Sequence, residues 1–296
     1  MSLCILLMAA SNRGNSMDTP AGELKNNPSW LHDTLSRKPH VFDSSGFCNC
    51  LAETHKIKFE NAPRISLHHS MKTFVTQYMA KNGEMLEKLK QKNGHYFKTI
   101  DQVFVRQGVP VELKYLAVIE SKLKTTAVSG VGATGMWQFM PATAKTYGLK
   151  ITSRVDERKY SYKSTVAAAK YMARLYELFD DWLLVIAAYN SGPGNVYKAI
   201  RLSGSRSFWK LQNFLPKETR MHVKKFIATH YYYEGQGSHV TLTKAEREKY
   251  LQKTEEFMAG QDDQKIPIDS SGIAPAYFNW LAIINDEQGL VLIAKK

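Results

Sequence analysis

Val111-Glu-Leu-Lys-Tyr-Leu-Ala-Val-Ile-Glu120-Ser-Lys-Leu123, entered through Pro110, has the periodicity of a helix with one residue out of place. At 100° per residue, Leu113, Leu116, Ala117, Ile119 and Leu123 fall in one arc, and Pro110 suits a first turn. Glu120 falls in the same arc, between Leu113 and Leu116, so packing the apolar face carries the carboxylate inward. An unpartnered carboxylate is costly to ionise in apolar surroundings, and such a group keeps its proton near neutral pH, as a general acid must. The structural alternative is a carboxylate at the stripe's edge, or one paired with a buried arginine, because charged side chains are rarely buried alone. The sequence around the helix weighs for the first reading.

Outward from this stretch the chain reads as helix after helix. From Ile65 to Phe104, Met71, Phe74, Val75, Tyr78 and Met79 recur at helical spacing. Beyond Leu123 comes a glycine-rich loop, Val128-Ser-Gly-Val-Gly-Ala-Thr-Gly135, and a helix is expected to start near Pro141. Ser164 is a capping residue type and predicts a helix over Thr165–Phe179, whose small face of Ala167, Ala168, Ala169 and Ala173 invites close packing. Trp182 to Tyr189 reads as an apolar helix ended by Ser191-Gly-Pro-Gly194. Asn195 is placed to start the next, and Lys217 to Tyr233 reads as one more. Strand signals are almost absent, so the expected fold is mainly α.

The chain has 296 residues, enough for one large domain or two small ones. Hydrophobic and aromatic contents of 44% and 11% are those of a folded globular protein. The formal charge of +13, from 40 Lys and Arg against 27 Asp and Glu, suits contact with a polyanion. The basic residues are scattered and no nucleic-acid-binding signature accompanies them, so nucleic acid is not the expected partner. Cys4, Cys48 and Cys50 are the three cysteines, and their crowding near the start argues against a disulfide scaffold or a metal site in the main domain.

Met1 to Ala10 contains a short apolar run ending in small residues without a preceding basic residue. It reads equally as a clipped or mis-started secretion signal and as an ordinary N-terminus. Nothing else approaches the roughly 18 apolar residues that a membrane span requires. Residues 1–60 are expected to be an N-terminal extension, polar and broken by Pro20, Pro28 and Pro39. Residues 61–237 are expected to be the main domain, with its core at 104–200. Residues 238–296 form a tail in which Thr241-Leu-Thr-Lys-Ala-Glu begins a charged helix and the closing piece is apolar again.

Four segments stand out beyond composition: Ile119-Glu120-Ser121, Gly135-Met-Trp-Gln138-Phe-Met-Pro141, Ala187-Ala-Tyr189-Asn190-Ser-Gly-Pro-Gly194 and Glu218-Thr-Arg220. Singly, each has a structural reading. Gly135 and Pro141 can bracket a helix start, the Tyr-Asn-Ser-Gly run can be a helix C-terminus, and Glu218 with Arg220 can be a solvated pair.

In order and spacing the four together resemble the catalytic domain of the soluble lytic transglycosylase superfamily, nearest its membrane-bound lytic transglycosylase D branch. Val155-Asp-Glu-Arg158 and Phe179-Asp-Asp-Trp182 also resemble that branch, and the resemblance covers about residues 65–235. It implies a lysozyme-like, multi-helix domain with Glu120 as its single catalytic acid and Ser121 as the hydroxyl beside it. Ser129, Gln138 and Met140 match positions lining the sugar cleft, Tyr189 and Asn190 match the motif facing the catalytic carboxyl, and Glu218 matches a further cleft residue. His222 departs from the pattern: it stands where many relatives carry tyrosine after Glu-Thr-x-x.

The resemblance further implies cleavage of peptidoglycan between N-acetylmuramic acid and N-acetylglucosamine, without metal or organic cofactor. Glycosidases with two carboxylates hydrolyse, whereas an enzyme of this kind needs one, because the nucleophile is the substrate's own C6 hydroxyl. Asp156 and Glu157 are the rivals for a second carboxylate, with local pairing to Arg158 the structural reading. A lysozyme-type hydrolase and a catalytically silent wall-binding module are the alternatives. The implied setting is the bacterial cell envelope or periplasm, with glycan strands as partner, a peripheral or lipid association with the membrane, and a monomeric chain.

Overall fold

The computed structural model describes residues 62–262, 280–285 and 289–294. The three cysteines, the apolar opening run and the extension up to residue 60 lie outside the described residues, as do residues 263–279, 286–288, 295 and 296 of the tail.

The helical reading holds for residues 62–262. In chain order the helices are α1 (Lys72–Lys92), α2 (Gly94–Gln107), α3 (Tyr115–Ser121), α4 (Pro141–Thr146), α5 (Ser161–Phe179) and α6 (Trp182–Ser191). They continue as α7 (Pro193–Ser203), α8 (Phe208–Leu211), α9 (Lys217–Glu234) and α10 (Lys244–Asp262).

The hub is α6, in which Trp182 through Asn190 are all buried. A helix apolar on every side belongs in the middle of a domain rather than at its surface. Helices α5, α7 and α9 pack around it, while α9 also lies against α1 and α3, and α2 against α5. The alanine face of α5 sits in this core, with Ala167, Ala168 and Ala169 fully buried. Asp181 starts α6 by accepting the Leu183 and Leu184 N–H groups at 2.9 and 3.2 Å. Its other oxygen accepts the Lys244 N–H at 2.7 Å, which ties the start of α10 to the start of α6.

Three local readings are corrected. The stretch 111–123 is not one helix: Val111–Lys114 is a 3₁₀ turn, α3 has seven residues, and Lys122 and Leu123 adopt left-handed backbone at φ 56° and 61°. Leu123 still reaches the core, 2% exposed, by this reversal rather than by helical periodicity. Ser164 is no cap, because α5 starts three residues earlier and Ser164 donates its hydroxyl back to the Ser161 carbonyl. Asn195 lies inside α7, which begins at Pro193, a residue whose fixed φ suits a first turn. The mainly α reading of the main domain stands, and outside it the tail adds a hairpin: Trp280–Asn285 (β1) pairs antiparallel with Gly289–Ala294 (β2), Trp280 opposite Ala294. A run of apolar residues too short for two helical turns on either side of a turn is equally a hairpin, and pairing decides it.

Candidate functional site

Glu120 occupies the last turn of α3 with its side chain 7% exposed. The carboxylate is not alone. Nε2 of His222, on α9, lies 2.9 Å from Oε1 of Glu120, and the imidazole is itself 10% exposed. The partner expected for a paired carboxylate was an arginine; the partner found is a histidine from a helix far along the chain. Among the described residues, no cluster of three or more His, Cys, Asp or Glu side chains is arranged to hold a metal ion.

Just past Glu120 the chain turns sharply. Ser121 donates its hydroxyl to the Met136 carbonyl at 2.8 Å, joining the end of α3 to the loop before α4. Lys122, Leu123 and Gln138, the last at φ 50°, are three of the four non-glycine residues with positive φ among the described residues. Such conformations cost of order 1–3 kcal/mol each and persist where surrounding contacts impose them. Two of them follow the Glu120-Ser121 pair directly, and the third lies two residues past the Met136 carbonyl that Ser121 engages.

The loop from Val128 to Phe139 is braced from three directions. Within it, Thr134 and Phe139 exchange backbone hydrogen bonds at 3.1 Å, and the Ser129 hydroxyl accepts the Ala133 N–H at 3.0 Å. From one side Arg158 donates to the carbonyls of Gly132 and Phe139 at 2.8 and 2.9 Å. The backbone of Arg158 comes so close that a Cβ on Gly135 would lie 2.0 Å from its carbonyl oxygen, so position 135 admits only glycine. From below, the buried Trp137 donates its indole N–H to Thr165 of α5 at 3.0 Å. The Tyr189 hydroxyl donates to the Trp137 carbonyl at 2.8 Å.

The two residues of the Tyr-Asn motif therefore tether two different segments. Tyr189 fixes the backbone next to Gln138, and Asn190 accepts the Thr219 hydroxyl at 2.8 Å on the N-terminal turn of α9. Thr219 and His222 are one helical turn apart, so the face that Asn190 anchors is the face that presents the imidazole to Glu120. Gln138 is buried, and its amide NH₂ is engaged by the Gly135 carbonyl at 2.8 Å, a bracing position within the loop. Met140 is half-buried immediately before α4, and Glu218 is exposed in the first turn of α9. Thus Glu120, Ser121, Gln138, Tyr189 and Asn190 belong to one connected network, Ser129 closes the neighbouring loop, and Glu218 stands at its solvent side.

The rival carboxylates are engaged locally. Asp156 takes a two-pronged contact from Arg158, Nε at 2.9 Å and Nη2 at 2.7 Å, and this guanidinium holds its carboxyl below the usual carboxylate range. Glu157 accepts the Lys163 ammonium and the Lys150 N–H, which lower it likewise. Sequence reasoning missed His222 as a partner of Glu120 and Thr219 as its tether. The signals were a histidine at a tyrosine position and a threonine inside a motif of which only Glu218 was singled out.

Residues 105–212 match the Transglycosylase SLT domain family. The span contains Glu120, the braced loop and the Tyr-Asn motif, and ends before α9. Membrane-bound lytic murein transglycosylase D of Escherichia coli (strain K12) is 44% identical over 128 residues, 42% of this chain and 28% of that protein. Peptidoglycan transglycosylase gp16 of Escherichia phage T7 is 41% identical over 86 residues, 28% of this chain and 6% of that one. Among solved structures, the 70 kDa soluble lytic transglycosylase of Escherichia coli is similar at 23% identity and a TM-score of 0.45, over 60% of this chain and 31% of that chain. The chain thus spans under a third of the length of transglycosylase D.

Proposed function

We propose that residues 61–237, which contain the stretch matching the Transglycosylase SLT domain family and resembling membrane-bound lytic murein transglycosylase D, cleave peptidoglycan without water. The bond is the β-1,4 link between N-acetylmuramic acid and N-acetylglucosamine, and Glu120 is the one group that moves the proton. The observation that carries this reading is a shielded carboxylate at Glu120, while Asp156 and Glu157 are engaged by Arg158, Lys163 and Lys150.

In the first step protonated Glu120 gives its proton to the bridging oxygen. The C1–O bond breaks, its electron pair stays on the departing N-acetylglucosamine O4, and C1 of the muramyl residue becomes oxocarbenium-like. In the second step the carboxylate takes the proton of the muramyl C6 hydroxyl as O6 closes onto C1. The product is a 1,6-anhydro end, the carboxyl is protonated again, and no water is consumed. One residue serves as acid and then base, as in the two halves of a retaining glycosidase. Ser129, Met140 and Glu218 would lie along the strand, with Gln138, Tyr189 and Asn190 setting the walls.

The substrate's place fits the bacterial cell envelope, with glycan strands rich in peptide carboxylates meeting a chain of formal charge +13. Among the described residues no helix is long and apolar enough to cross a membrane. The membrane association in this reading is peripheral or through a lipid. A monomer suffices, because the network around Glu120 is built from one chain.

Mass analysis of fragments released from purified sacculi tests the reading. Anhydro-ended fragments, lighter by one water than reducing ends, are expected. Reducing ends would make the chain a muramidase, and no release would make it a wall-binding module.

A further inference from the structure

Cleavage without water asks one carboxyl to present a proton and, moments later, to accept one, from the same place. That requires the carboxyl to be held, and among the described residues its Oε1 is held by Nε2 of His222. The imidazole's other nitrogen, Nδ1, is buried and has no hydrogen-bond partner among the described residues.

Three proton arrangements fit a 2.9 Å contact, and chemistry separates them. An imidazolium against a carboxylate would bury two charges, leave an N–H at Nδ1 with no acceptor, and leave Glu120 with no proton to give. A neutral imidazole protonated at Nδ1 has the same stranded N–H, and its bare Nε2 would draw the Glu120 proton away from substrate. A neutral imidazole protonated at Nε2 has neither fault. Its N–H donates to Oε1 whether the carboxyl is protonated on Oε2 or ionised, so the same bond survives both steps.

We propose that His222 is a positioning residue in this third form: Nε2–H donates to Oε1 of Glu120 and leaves Oε2 as the oxygen that exchanges protons with the sugar. The inference rests on the reading of Glu120 as the acid and base. The scaffold supports it, because the Thr219–Asn190 hydrogen bond fixes α9 one turn before His222, and Ser121 bonded to the Met136 carbonyl fixes α3 just after Glu120. Both ends of the contact are thereby anchored by the helices that carry them rather than left to side-chain rotation. A histidine then does here what any neutral donor of the right reach would do.

The test compares His222→Phe, His222→Gln and Glu120→Gln with the unaltered chain on soluble glycan-strand oligomers. Phenylalanine keeps the ring's volume and removes the donor; glutamine restores a neutral N–H at similar reach. His222→Phe is expected to lower kcat by about tenfold to a hundredfold with KM nearly unchanged, the scale of a mispositioned reacting group, and His222→Gln to recover most of the loss. A His222→Phe chain as active as the unaltered one, with Glu120→Gln inactive, overturns the positioning role and leaves the function standing. An active Glu120→Gln overturns the function itself. Should His222→Phe fail to fold, ¹⁵N resonances of the unaltered chain decide. Protonated Nε2 with bare Nδ1 at neutral pH is expected, and a proton on Nδ1 overturns the proposal whatever the activity.

Discussion

The hydroxyl of Thr219 donates to the side-chain oxygen of Asn190 at 2.8 Å, and this one buried bond joins the hub helix to the helix that carries His222. Both residues are buried, Thr219 at 1% exposure. The bond therefore sets the orientation of α9 without any help from solvent, and through α9 it sets the distance between His222 and Glu120.

Thr219→Val keeps the shape and deletes the donor, leaving the Asn190 oxygen buried and unmatched. A loss of about 1–3 kcal/mol is expected, read as a lower midpoint in urea unfolding. Fragment release from sacculi should fall further than the lost stability explains, since α9 loses its tether. A variant as stable as the unaltered chain would show that the bond is not needed.

Glu120→Gln should fold normally, because an amide fills the same space and can still accept from Nε2 of His222. Turnover should drop by about 10²–10⁴, the range for removing a general acid–base group, while binding to sacculi persists. Chromatography of soluble fragments measures the first and co-sedimentation the second.

Two glycines should behave oppositely. At Gly135, φ is +87° and a new Cβ would strike the Arg158 backbone at 2.0 Å. Gly135→Ala should therefore cost more than the ordinary penalty of about 1 kcal/mol for a wrong backbone region and should distort the loop beside Gln138. At Gly194, in the first turn of α7, an added Cβ would meet nothing within 4 Å. Gly194→Ala should be neutral or stabilising by about 0.4–1 kcal/mol. Thermal unfolding of the pair reads both.

Acid sensitivity should trace in part to His230, whose ring is buried on α9 with Nε2 2.8 Å from the Ser238 hydroxyl. Burial pushes it down to about 3 from an ordinary 6.5. The unfolded chain then binds a proton that the folded chain refuses, so this contribution is whole above about pH 6.5 and lost as pH falls towards 3. Asp181 opposes it: burial, outweighing its backbone N–H donors, pushes that carboxyl up to about 6, so its contribution is lost as pH rises through that value. The difference between the unaltered chain and His230→Asn isolates the histidine. Its unfolding free energy should fall by up to about 1.4 kcal/mol per pH unit within the His230 window, and a difference independent of pH would sink the assignment.

Much of the helical frame was legible because its information is local. An apolar run such as Trp182–Tyr189 announces a buried helix by composition alone, and the alanine face of α5 announces close packing. The motif residues Glu120, Gln138, Tyr189 and Asn190 were legible as a set through order and spacing. What failed was punctuation. Ser164 has the chemistry of a cap, yet the helix runs through it, because Tyr160, which closes a 3₁₀ turn at Glu157–Lys159, is already the residue from which α5 starts. Periodicity carried the helix to Leu123, whereas α3 stops at Ser121 because Lys122 and Leu123 turn left-handed to bring Ser121 onto the Met136 carbonyl.

Taken by itself, the order of residues determined that this chain is mainly helical, that Trp182–Tyr189 is an apolar helix, and that a glutamate would ride inward on an apolar stripe. Each of these depends on neighbours within a turn or two, where periodicity and volume are enough. Only the tertiary structure decided that the glutamate has a histidine for company, that Gln138 braces its own loop, and that Tyr189 and Asn190 tether two different segments. The reason is physical: Glu120 and His222 are 102 positions apart, and no local preference encodes a 2.9 Å contact between two helices until both are packed into place.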